Sequence, residues 1–395
     1  MKRVISACLF LCLVLTYPVH ALAAEASQDS TDAEIVNIMQ DVTTSISNAD
    51  YDAFISLTAG NLNESLENLF FGPASTQNAK DNIGFWNVES LNLLQYKEIP
   101  SADGTIAFVD YGTYSDFSDL VTYYVSMDLD AKEDNREMFT GTNFFIFIFG
   151  RDNNNEYKLL QWSEANIDEM QRKGVAFDDG SEEQQTIIQH ARLNGTTLSG
   201  EEALLQNFET YASYDPNDCP IPSTIRVMIS ERQNGVVGEI DTMEFYYYVK
   251  NVLPNEWVAS TSPYESLKAG AMAVKMYGWF HCYYYKYWGE GFDVYDDTRD
   301  QHYVKDSEYP RSTDAINAVG GVGIVNSDGS MFETQYNRDS TGRGSGMIGQ
   351  NYAGDLAEYS GYDWFDICDY FYSNSDKSDG DIEKFEYDMN SQYAF

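Results

Sequence analysis

The chain has 395 residues, enough for two ordinary domains with a core each. Hydrophobic residues make up 43% and charged residues 22%, which describes a globular protein and excludes a disordered one. The formal net charge of −39 excludes nucleic acid and anionic membrane as main partners, since both are polyanions, and leaves uncharged glycans and polyols open.

Lys2 and Arg3 precede an apolar run from Val4 to Leu15, with Ala21-Leu22-Ala23 as a small-residue cleavage site. Residues 1–23 thus read as an export signal, which places the protein outside the cytoplasm, secreted or associated with the cell wall. The run falls short of the about 20 residues of a membrane span, and an uncleaved anchor is the alternative. Ile5-Ser6-Ala7-Cys8 resembles a lipobox, but the apolar stretch follows it, so no lipidation is expected. Beyond the signal stand Cys219, Cys282 and Cys368, widely spaced and odd in number. They make no disulfide framework, and at most one bridge could form.

Residues 28–170 are expected to form an α+β domain. Thr31 and Glu34 make a capping-box pattern, and Ile35, Ile38, Met39, Val42, Ile46 and Ala49 follow at helical spacing. Strand-like runs come next at Thr105–Tyr111, Leu120–Leu129, Asn143–Phe149 and Tyr157–Trp162, the last two flanking an Asn-rich turn at Arg151–Glu156. A long helix and an antiparallel meander imply a sheet curling around the helix. In element order this is similar to the NTF2-like fold, a likeness that carries no function. Residues 171–222 are acidic, polar and closed by Pro216, Pro220 and Pro222, so they read as a linker with short helices near Glu183–Leu193 and Glu201–Tyr211.

The second domain, residues 223–395, opens as strand, turn, strand over Ile225–Ser230 and Val236–Ile240. Asp241 and Glu244 suggest a capping box, and Phe245, Tyr248, Val249 and Val252 give one apolar face, predicting a helix over Thr242–Leu253. Pro254 should stop it, leaving Glu256 just past its end. A third capping box at Ser262 and Glu265, with Pro263 between, starts a helix over about Tyr264–Tyr284. Ala269, Gly270, Ala271, Ala273 and Gly278 predict that another element packs close to that helix. The tail from Asp376 to Asp388 is acidic, polar and expected to be loosely held.

The stretch Glu244–Phe280 resembles the signature of the sporulation stage II protein D family, the SpoIID/LytB domain. There a Tyr-x-x-x-Val helix leads to a Glu, followed by a helix rich in Ala that ends in Arg-Thr-Tyr. The matching residues are Glu256, Glu265-Ser266-Leu267-Lys268-Ala269, Ala271, Ala273 and Tyr277. Gln301, Tyr303, a helix start at Thr313, Tyr336, Gln350 and Tyr352 extend the likeness over about Ile225–Tyr372. The resemblance implies a peptidoglycan lytic transglycosylase, with peptidoglycan glycan strands and other wall hydrolases as partners and no cofactor. One carboxylic acid, Glu256, would protonate the glycosidic oxygen between N-acetylmuramic acid and N-acetylglucosamine. As carboxylate it would then assist the C6 hydroxyl in closing a 1,6-anhydro ring. Such a carboxyl needs an apolar setting that keeps it protonated near neutral pH, and Leu253, Pro254 and Trp257 flank it.

Capping alone explains Glu265, and Lys268 either orients substrate or lies on a solvated face. Tyr277, Gln301, Tyr303, Tyr336 and Gln350 are candidate substrate contacts that could equally be packing residues. The chain departs from the family at Gly270 (for Gln), Lys275-Met276 (for Arg-Thr) and Arg343 (for His). Some relatives place a Cys/His metal cluster after the long helix; only His281, Cys282 and His302 stand there in this chain, and since lone histidines are more often structural than ligands, no metal is expected. The alternative is a non-catalytic wall-binding protein or amidase enhancer of the LytB type. A third possibility is an acidic glycan- or protein-binding surface module.

Overall fold

The computed structural model describes residues 30–100, 106, 109–193, 198–200, 202, 220–378 and 380–387. The helical spacing of Ile35, Met39, Val42 and Ile46 buries all four on one face of α1 (Ser30–Ser47). Asp50 caps α2 (Tyr51–Ser56) by accepting from the Ala53 N–H at 3.1 Å. After α3 (Gly60–Phe71) and α4 (Ser75–Lys80) come β1 (Val88–Ile99), β2 (Ser118–Ala131), β3 (Gly141–Arg151) and β4 (Tyr157–Glu164). They pair in sequence order as an antiparallel meander, with α1 against β1. In the β3–β4 turn, the Asp152 carboxylate accepts from the N–H groups of Asn154 and Glu156, and Asn155 takes a left-handed φ of 64°.

One expectation for this half needs correction, and one strand was not anticipated. The strand expected at Thr105–Tyr111 is not seen where that stretch is described: Tyr111–Tyr114 is a 3-10 turn held by the Asp110 side chain on the Gly112 N–H. Strand β1, with its Leu, Glu, Gln and Lys, lacks the β-branched signature, and it is a strand because β2 pairs with it.

The helix expected near Glu183–Leu193 forms. Preceded by α5 (Ile167–Arg172), α6 (Glu183–Leu193) presses on the sheet. The Arg192 guanidinium donates twice to the buried Glu164 carboxylate, at 2.7 and 2.9 Å, and the Gln185 amide donates to the same group at 3.0 Å. The stretch between residues 171 and 193 is therefore built into the N-terminal half. Apart from residue 202, the expected helix at 201–211 lies outside the described residues, as do Cys219, the export signal and the Thr31 capping side chain.

In the C-terminal half β5 (Thr224–Met228) pairs antiparallel with β6 (Ile240–Glu244). That pairing takes the residues expected to open the next helix, so α7 runs Phe245–Glu256 and Asp241 and Glu244 form no capping box. Pro254 lies inside α7 and does not end it. In the last turn of α7, the Asn251 carbonyl accepts from the Asn255 side-chain amide of the same helix and from the Ser307 hydroxyl and Val304 N–H of the loop before Pro310.

Helix α8 (Tyr264–His281) is the buried axis of this half. The expected close approach is present: a Cβ at Gly270 would lie 2.6 Å from the Trp257 indole, and one at Gly278 would lie 3.0 Å from the Phe245 ring. Around α8 stand β7 (Val294–Tyr295), α9 (Pro310–Ala318), β8 (Val322–Asn326), β9 (Gln335–Asn337), β10 (Met347–Gly349), α10 (Gln350–Tyr359) and α11 (Trp364–Tyr372). Helix α9 starts at Pro310, ahead of Thr313. The tail expected to be loose supplies β11 (Ile382–Glu386), antiparallel to β8, because Ile382 and Phe385 are buried in the core.

The halves meet through a shared core. Trp288, just past α8, is fully buried among Phe85, Phe145 and Trp162 of the N-terminal half, stacked on Trp162 at 5.3 Å. Tyr285 beside it lies among the guanidinium groups of Arg136, Arg192 and Arg226, each 5.4–5.8 Å from its ring. Among the described residues, no helix is long and apolar enough to cross a membrane.

Candidate active site around Glu256

Glu256 is the last residue of α7, half-buried and followed by the buried Trp257. The loop that satisfies the end of α7 also addresses the carboxylate. The His302 backbone N–H donates to Oε1 at 2.7 Å, and the Gln350 amide approaches Oε2 at 3.5 Å. A directed chain of donors ends on the same group. The Tyr248 hydroxyl donates to Gln301 Oε1 at 3.0 Å, and Gln301 Nε2 donates to the Tyr336 oxygen at 3.1 Å. The Tyr336 hydroxyl in turn donates to the Glu256 carboxylate. Gln301 Nε2 also donates to the Val274 carbonyl of α8, which fixes which end of the amide faces which tyrosine.

Burial pushes the Glu256 carboxyl above its ordinary range, while the His302 N–H, the Tyr336 hydroxyl and the Gln350 amide favour the carboxylate and oppose the rise. Desolvation is the largest of these influences, so the net displacement is upward.

Of the residues singled out in the sequence, Glu256, Gln301, Tyr336 and Gln350 come together. Tyr303 stands one layer behind, stacked on Tyr248 at 5.7 Å. Tyr277 is held by Asp300, to which its hydroxyl donates at 2.8 Å, and it lines a cleft that Tyr336 also lines. Lys268 has a different environment: it pairs with Glu265 at 2.7 Å and lies 5.5 Å from the Tyr264 ring centroid. Glu265 does not cap its own helix. Its carboxylate accepts from the Trp364 N–H at 3.1 Å and so caps α11 from outside.

The sequence reading overlooked Tyr248 and the His302 N–H as parts of this site. Tyr248 fell on the apolar face of a helix, and a backbone donor leaves no mark in a sequence. His281 and Cys282 face different partners, Glu333 and Asp293, and among the described residues no group of three or more His, Cys, Asp or Glu side chains could hold a metal ion. Cys282 and Cys368 are free, buried thiols, both pushed up by burial.

Residues 233–325 match the family model of SpoIID, the stage II sporulation protein. This segment is similar to the SpoIID family. No curated protein matches the chain. The matched segment contains α7, Glu256, α8 and the loop that carries Gln301 and His302, whereas Tyr336 and Gln350 lie beyond it. A SpoIID domain points to a cell-wall-related sporulation protein and is consistent with an enzyme acting on peptidoglycan.

The departures from the SpoIID pattern have local explanations. Gly270 makes room for Trp257, whose ring meets Tyr336 at 5.0 Å. The Lys275 ammonium is buried and donates to the carbonyls of Val319 and Val322, and burial lowers its pKa to about 7. Arg343 is exposed beside Asp369 and Tyr370.

Proposed function

We propose that the protein is an exported peptidoglycan lytic transglycosylase with Glu256 as its single acid and base. One observation carries this reading: a half-buried carboxyl, held above its ordinary pKa range, stands at the focus of fixed donors inside a SpoIID segment. Protonated Glu256 gives its proton to the glycosidic oxygen between N-acetylmuramic acid and N-acetylglucosamine. The C–O bond to the anomeric carbon breaks and N-acetylglucosamine leaves as an alcohol. The Glu256 carboxylate then accepts the proton of the muramyl C6 hydroxyl as its oxygen closes on the anomeric carbon. The product is a 1,6-anhydro sugar, no water is consumed, and the acid is regenerated. No second catalytic carboxylate is required, because the internal hydroxyl replaces the water or nucleophile of paired-carboxylate glycosidases. The N-terminal helix and meander, NTF2-like in outline, would position the strand.

Digestion of purified peptidoglycan by the full chain, with mass spectrometry of the products, tests the reaction. Anhydro-muropeptides are expected, and reducing-end products or none would contradict it. Intact mass of the secreted protein tests export: loss of residues 1–23 is expected, and full-length protein in the membrane fraction would indicate an anchor.

One observation favours a second reading, a non-catalytic wall-binding protein or amidase enhancer of the LytB type. The donors on Glu256 favour its carboxylate, which is the wrong form for an acid. Strand binding without any product would establish that reading.

A further inference from the structure

We infer that the N-terminal half, outside the SpoIID segment, completes a cleft beside Glu256 that binds an uncharged N-acetylated sugar of the same strand. The inference rests on the reading of the protein as glycan-directed, and it adds a binding site contributed by residues that no SpoIID match covers.

The cleft has a volume of about 370 Å³, within the range of about 300–1,000 Å³ typical of small-ligand sites. Asn61, Thr113 and Tyr114 of the N-terminal half face Tyr277, Tyr287 and Tyr336 of the C-terminal half across it. Tyr336 lines the cleft and donates to Glu256, so the cleft and the carboxyl share a wall.

The charges in the cleft are already matched within the protein. Lys286 pairs with Asp300 at 2.7 Å, Arg299 with Asp297 at 2.6 Å, and Glu333 with Lys377 at 3.0 Å. The Asp110 carboxylate is engaged by the Gly112 N–H and the Thr113 hydroxyl. Glu290, bonded to the Ser65 hydroxyl, has its pKa raised by burial to about 8 and is largely neutral at pH 7. An ionic ligand would therefore have to break an existing pair and pay for it. What the walls offer is amides, hydroxyls and tyrosine rings. That set suits a polyhydroxylated ring, whose C–H face packs on an aromatic ring while its hydroxyl and acetamido groups exchange hydrogen bonds.

The test is binding of peptide-free glycan strands, and of an N-acetylglucosamine tetramer, by the full chain carrying Thr113→Trp or Asn61→Trp. Each substitution fills the cleft from the N-terminal side, at a position that is exposed or half-buried. Thr44→Trp, on the exposed face of α1, is the control. Both cleft variants are expected to bind about ten-fold or more weakly while melting like the control. The inference is overturned if either variant melts normally and binds like the wild type, or if the wild type binds neither probe.

Because binding is read separately from cleavage, the two proposals fail separately. A wild type that binds but yields no anhydro products, with weakened cleft variants, supports the cleft and removes the transglycosylase reading. A wild type that cleaves, with cleft variants that bind and cleave equally well, does the reverse.

Discussion

Glu256 is pulled two ways, and the balance predicts its response to pH. In the proposed reaction Glu256 must be protonated in the free protein, so kcat/KM is expected to fall as pH rises through its pKa. The Tyr336 hydroxyl stabilises the carboxylate, so Tyr336→Phe removes an influence that lowers that pKa. The basic limb of the pH profile is expected to move to higher pH in this variant. A limb that stays in place or moves to lower pH would mean that Tyr336 does not govern the proton on Glu256. At this scale the sequence was most legible where a motif names a residue: Glu256, Gln301, Tyr336 and Gln350 all meet. It was least legible for Glu265 and Lys268. A Ser-x-x-Glu pattern says that a carboxylate stands near a helix start, but Glu265 spends its carboxylate on α11, a neighbour nearly a hundred residues later in the chain.

Between elements, the decisive contact is Trp257 on Gly270. Replacing a helical glycine by alanine ordinarily stabilises by about 0.5–1 kcal/mol. At Gly270 the new methyl would lie 2.6 Å from an indole that is itself buried, and overpacking of this kind costs about 1–3 kcal/mol. The clash should win. Gly270→Ala is expected to lower the urea midpoint with m unchanged and to reduce activity, since Trp257 adjoins both Glu256 and Tyr336. An unchanged or raised midpoint would show that the indole moves aside freely. The small residues of α8 announced this packing in advance, and so did the apolar periodicity of α1. Local signals misled wherever pairing overrode them. Thr242–Glu244 looked like a helix start but is held extended by β5, and the polar tail becomes β11 through Ile382 and Phe385.

At the scale of the molecule, the halves share a core that composition did not disclose. The change in character after residue 170 suggested a linker between independent units, yet Trp288 from the C-terminal half is buried among N-terminal aromatics. Aromatic residues are common throughout this chain, so nothing in the sequence marks one as crossing between halves. Trp288→Ala should cost about 3–5 kcal/mol and lower the denaturant midpoint of both halves together. A loss confined to one half, or below about 1 kcal/mol, would mean that the junction contributes little to folding. The same junction forms the cleft next to Glu256, so the arrangement of the whole chain bears on the chemistry of one carboxyl. The most direct test of that chemistry is Glu256→Gln in the full chain, assayed for anhydro-muropeptides and for strand binding. Gln keeps the shape and an acceptor for the His302 N–H but has no proton to give. Production of anhydro-sugars should fall by about 10²–10⁴-fold while strand binding persists. Wild-type production by this variant would contradict the account.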